Sequence, residues 1–172
     1  MTLAWRTYVV VLAGALLWCG AIVLAPILAV LPEPFAAVGN AMYGLFSPVC
    51  HQIEERSFEV LGLPLAVCTR CTAVYGGFLA GVLLYPFVRS VNHPVYPPRW
   101  IAALAVFPML VDVVMGWTGI HPVSGATRVF TGAFFGLIVP FVVLPALGEA
   151  VQEFVASHRR PIPQPQKGLS DA

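Results

Sequence analysis

Along this chain, long uncharged apolar runs alternate with short polar joints. Residues 7–31 carry no charge and follow Arg6. Such a run is long enough to cross a hydrocarbon core of about 30 Å with some tilt. Comparable runs cover about 65–88, 100–117 and 128–147, and each predicts a transmembrane helix. Between the first two, Phe35, Val38, Met42, Leu45, Phe46 and Val49 recur at helical spacing. Residues 35–49 would reach roughly 22 Å at about 1.5 Å per residue, too short to span, so this piece is expected to be an interfacial or re-entrant helix. Its other side, with Gly39 and Gly44, is small enough to pack on a neighbour.

The pattern therefore predicts an all-α integral membrane bundle of four transmembrane helices plus one short helix. It would form a single domain over residues 1–149. A tail over 150–172, with Pro161, Pro163 and Pro165, reads as disordered and cytoplasmic. A cleaved signal peptide is the competing reading of the first run, but that run exceeds a normal signal core.

Composition narrows the partners. Of 172 residues, 59% are hydrophobic and only 10% charged, against about 25% charged in soluble domains, so the lipid bilayer is the surrounding medium. Nine Lys and Arg face eight Asp and Glu, with no basic stripe interleaved with aromatics, which excludes nucleic acid as an expected ligand. Ala73, Gly77 and Gly81, and later Gly132 and Gly136, repeat at four-residue spacing. Such seams let helices approach closely, within one chain or between copies in a homo-oligomer. No Ser/His/Asp signature, phosphate-binding glycine loop or nicotinamide fingerprint is present.

Candidate chemistry is concentrated in one stretch. Cys50-His51-Gln52 is followed by Arg56 and then by Cys68-Thr69-Arg70-Cys71 and Tyr75. A CxxC pair at a helix start sends both side chains from one face of the first turn. With Cys50 and His51 the two thiolates make a tetrahedral set suited to zinc or another transition metal. Alternatively, Arg70 and the helix N-terminus activate the pair as a reactive dithiol. A structural disulfide is a third reading. If the stretch from Cys50 to Gly62 is helical, Glu55 lies one turn from His51 and can orient it or bind the metal directly. Tyr75 falls one turn below Cys71 on the same face. Cys19 reads as a small buried hydrophobe. Asp112 lies at membrane depth in the third span, where a carboxylate needs a partner or water, and Arg128 at the start of the fourth is the expected partner. His121 belongs to the polar connection before it.

Four spans put both termini on one side. Arg6, Arg89, Arg99, Arg159, Arg160 and Lys167 then share that side, and Arg56, Arg70 and Arg128 share the other. Positive charge marks the cytoplasm, so both termini are expected there and the cysteine stretch outside, in the plasma membrane. Asp112, about 18 Å along its helix from Trp100, falls in the outer half with Cys68, Arg70, Cys71 and Arg128.

Cys50-His51-Gln52, Arg56-Ser57-Phe58, Cys68-x-Arg70-Cys71-Thr72, Tyr75 with Gly77, Asp112 and Arg128-x-x-Thr131-Gly132 together resemble a family of small polytopic membrane proteins classed as domain of unknown function 2085. The resemblance runs from about residue 45 to residue 137 and implies architecture and site positions, with no activity attached. More distantly, the helix count and outer CxxC look like the four-helix membrane disulfide oxidoreductases that work with quinone. A relay of two disulfides needs four outer cysteines and this chain has three, which favours metal. The functions expected are thus a metal-binding multi-pass membrane protein, a quinone-linked thiol oxidoreductase, or a transporter or channel component using Asp112.

Overall fold

A computed structural model describes residues 2–92, 95–118 and 124–159. The chain is an all-α integral membrane bundle with four helices long and apolar enough to cross a bilayer. These are α1 (Leu3–Ala29), α3 (Thr69–Val88), α4 (Arg99–Thr118) and α5 (Gly125–Arg159), and the short α2 (Phe35–Phe46) follows α1. Thr2 caps α1 through its Oγ1, which accepts from the Trp5 N–H at 3.4 Å. α1 is apolar all round, as a membrane span is. Lipid, not protein, is the expected solvent for its outer side and for the other outward residues: Leu17, Phe87 and Trp117 are 75%, 86% and 87% exposed.

The centre of the bundle is the pair α3 and α5, the most extensive helix contact in the chain. Glycine makes it possible. A Cβ on Gly132 would lie 2.9 Å from the Arg70 carbonyl oxygen, and one on Gly136 would lie 2.9 Å from the Phe78 nitrogen. From the other helix, a Cβ on Gly77 would lie 3.0 Å from the Ala133 Cα. The two small-residue seams therefore face each other within one chain, and neither offers its glycines to a second copy. Van der Waals contact between close backbones is what holds helices together where lipid removes the hydrophobic drive.

α2 folds back against the end of α1, where a Cβ on Gly39 would meet the Ala25 carbonyl oxygen at 2.8 Å. The other small residue, Gly44, has open space around it. α2 ends at Phe46, three residues short of the expected limit, and the main-chain N–H groups of Val49 and Cys50 both return to the Phe46 carbonyl.

The polar stretch after Cys50 is not a helix. It forms one 3-10 turn, Glu54–Arg56, and a small antiparallel hairpin pairing β1 (Glu59–Val60) with β2 (Leu63–Pro64). Leu61 and Gly62, both at positive φ, make the connection, which is the backbone that a two-residue hairpin turn demands. At the other end, α5 continues about twelve residues beyond the expected end of the fourth span, to Arg159, so that residues 150–159 of the expected disordered tail are helical. Glu149, Gln152 and Glu153 are good helix formers, so loss of apolar character ends the membrane-compatible stretch without ending the helix. His121 and residues 160–172 lie outside the described residues.

Candidate metal centre

Two segments deliver the site. Cys50 sits just after α2, Cys68 is the N-cap of α3 with extended backbone, and Cys71 is in the first turn of α3. The three sulfur atoms all lie within 4.8 Å of one another. All four cysteines of the chain are free thiols, so the disulfide reading does not describe this fold. Behind the sulfurs lies a core of Ile22, Phe46, Leu65, Ala66 and Val67, with Trp18 edge-on to Phe46 at 4.9 Å. Tyr75, one turn below Cys71, is edge-on to Trp18 at 5.6 Å and belongs to this packing.

Hydrogen bonds fix the register of the converging segments. The Cys68 main-chain N–H donates to the Cys50 sulfur at 3.1 Å. Gln52, at φ 50°, donates from Nε2 to the carbonyls of Tyr43 and Ala66, each at 2.8 Å, and so ties the end of α2 to the approach of α3. The Tyr43 hydroxyl donates to the Pro64 carbonyl. Thr69 donates from its hydroxyl to the Arg56 carbonyl at 2.7 Å. Gln52 is therefore a clasp, a role legible only once its two acceptors are placed.

The electrostatics suit a thiolate. Cys68 is held well below the usual thiol range, to about 5, first by the hydrogen bond from the Cys71 thiol, with desolvation working the other way. Zn–S bonds of about 2.3 Å in a tetrahedron put sulfurs about 3.8 Å apart. Three thiols already within 4.8 Å of one another stand close to that spacing.

The other expected residues divide around a cavity of about 390 Å³ beside the sulfurs. His51 is exposed and lines this cavity with Cys50, Cys68 and Cys71, but its ring nitrogens are not within the mutual 4.8 Å set. Arg56, Arg70 and Arg128 line it as well. Glu55 stands exposed on the 3-10 turn and does not, because the helical spacing that would stack it on His51 is absent. Asp112, 7% exposed, pairs with Arg70 and not with Arg128. α4 packs mainly on α5, and the long Arg70 side chain, from the first turn of α3, spans the gap to the carboxylate. Sequence reasoning did not single out Val113 and Trp117, which with Gly116 form the α4 wall of the cavity; their i, i+3, i+4 spacing was the available signal.

A family profile described as predicted membrane protein (DUF2085) matches residues 50–142, a stretch that begins at Cys50 and contains Cys68, Cys71, Asp112 and Arg128. An uncharacterized protein of Methanocaldococcus jannaschii is 33% identical over 149 residues, covering 85% of this chain and 96% of the relative. An uncharacterized protein of Methanothermobacter thermautotrophicus is 33% identical over 104 residues, covering 59% of this chain and 92% of the relative. No solved structure matches. Three cysteines set as a metal could use them, in a four-span bundle whose sequence aligns along most of its length with one of these relatives, place the chain: it belongs to the DUF2085 family of predicted membrane proteins.

Proposed function

We propose that this protein holds one zinc ion at the non-cytoplasmic face of the plasma membrane, through Cys50, Cys68 and Cys71, with His51 as the fourth ligand. The observation that carries the reading is the convergence of three free thiols from segments 18 residues apart in a chain otherwise poor in polar groups. Zinc suits it because the ion has no geometric demand beyond a tetrahedron and prefers sulfur and imidazole. His51 already borders the same cavity, from an exposed position in the loop after α2. With four protein ligands the metal is structural: it ties the end of α2 to the start of α3 across the hairpin. The bilayer sidedness follows from the charge split. Six of the nine Lys and Arg fall on the side of the termini, which supports cytoplasmic termini and a cytoplasmic segment after α5.

Elemental analysis of the full chain purified without added chelator tests this. The expected content is about one equivalent of zinc, falling below about a tenth when Cys50, Cys68 or Cys71 is replaced by Ser and unchanged for Cys19→Ser. Less than half an equivalent of any transition metal in the unmodified protein would overturn it.

A further inference from the structure

The cavity beside the sulfurs is lined by cations as well as thiols, and they come from three different segments. Arg56 ends the 3-10 turn, Arg70 lies in the first turn of α3, and Arg128 lies near the start of α5. Their convergence is set by helix packing, since Gly132, one turn after Arg128, abuts the Arg70 carbonyl. Among the described residues, only Arg70 has an acidic partner, Asp112. Even that guanidinium is incompletely used: its Nε is buried and has no hydrogen-bond acceptor among the described residues. A buried N–H without an acceptor is costly, and the residue that carries it lines the cavity.

The sign of the missing partner follows from the charges. Arg70 and Asp112 cancel, and Arg56 with Arg128 leave two positive charges. The cavity is net cationic and has room for several heavy atoms. Guanidiniums approaching from three directions suit a tetrahedral oxyanion, whose oxygens point several ways, better than a planar carboxylate, which offers two.

We infer that this cavity binds a phosphate group through Arg56, Arg70 and Arg128. The group is either a free phosphate or the headgroup of an anionic lipid, whose acyl part would lie along Val113 and Trp117 on α4. The inference shares a cavity with the proposed zinc ion but rests on the arginines.

The test uses the full chain. In detergent, thermal unfolding is titrated with inorganic phosphate against chloride at equal ionic strength. In parallel, protein is taken from phosphatidylglycerol and from phosphatidylcholine nanodiscs, and retained lipid is identified by native mass spectrometry. A saturable rise of the midpoint with phosphate identifies a free anion; selective retention of phosphatidylglycerol identifies a lipid headgroup. In either case Arg128→Gln should weaken binding about tenfold, as expected for loss of one charge-assisted donor, and Arg128→Lys should restore part of it. Arg56→Gln, on an exposed turn, gives a second variant should Arg128→Gln fail to fold. Absence of both effects, or both glutamine variants binding like the parent, overturns the inference. Phosphate binding intact in protein with less than half an equivalent of zinc would sink the metal reading alone.

Discussion

The main-chain N–H of Cys68 donates to the sulfur of Cys50, 18 residues earlier in the chain, at 3.1 Å. That hydrogen bond, together with the Gln52 clasp, holds the end of α2 to the N-cap of α3. The site inherits its geometry from that junction, so changes to the elements that maintain it should be felt at the sulfurs.

Acid should act on the site through Cys68. Its folded-state pKa, about 5, lies below that of an unfolded thiol, so the fold favours the thiolate. That contribution to stability is present in full above the unfolded value of about 8.5 and is lost as pH falls through about 5. In reduced, metal-free protein, alkylation of Cys68 by iodoacetamide should change by no more than about twofold between pH 8 and pH 6, where an ordinary thiol slows by nearly two orders of magnitude. Peptide mass spectrometry reads the rate, and a tenfold drop at Cys68 contradicts the assignment.

Gln52 should matter without binding anything. Gln52→Ala removes two 2.8 Å bonds and leaves the Tyr43 and Ala66 carbonyls without that donor, a loss of about 2–3 kcal/mol. Zinc should also leave faster when a chelator is added. Metal loss at the parental rate would show that the clasp does not support the site.

Asp112 and Arg70 should be coupled, and Asp112 and Arg128 should not. Asp112→Asn leaves a largely buried guanidinium uncompensated, so it should destabilise by roughly 2–4 kcal/mol. A double-mutant cycle with Arg70→Gln should give about 1–3 kcal/mol of interaction energy, measured by reversible unfolding in mixed micelles. The same cycle with Arg128→Gln should give close to zero. The reverse order would restore the pairing expected from sequence.

At the helix pair, Gly136→Ala should cost about 1–3 kcal/mol, because the new methyl meets the backbone of α3, which cannot rotate away as a side chain can. Gly76→Ala, on the same bundle with nothing within 4 Å, should be neutral or stabilising by up to about 1 kcal/mol. Equal effects would mean that the seam is not the contact described.

The four spans are legible in uncharged runs whose length matches the bilayer, and the seams in four-residue spacing, since both are properties of local geometry. CxxC at a helix start also needs only local geometry to bring its thiols to one face. The polar stretch after Cys50 is different. Its residues suit either a helix or a turn, and positive-φ residues decide it: Gln52 breaks the helical path between His51 and Glu55, and Leu61 with Gly62 turns the hairpin.

By itself, then, the sequence determined that the chain crosses a membrane four times, where it does so, and which residue types could hold a metal. Tertiary structure alone decided the pairing: that Cys50 meets Cys68 and Cys71, that Arg70 and not Arg128 takes Asp112, and that the two glycine seams occupy each other. The physical reason is range. Hydropathy and helical period act over one turn or one bilayer thickness, whereas partners distant in the chain are chosen by which backbones pack most closely, a quantity no single segment carries.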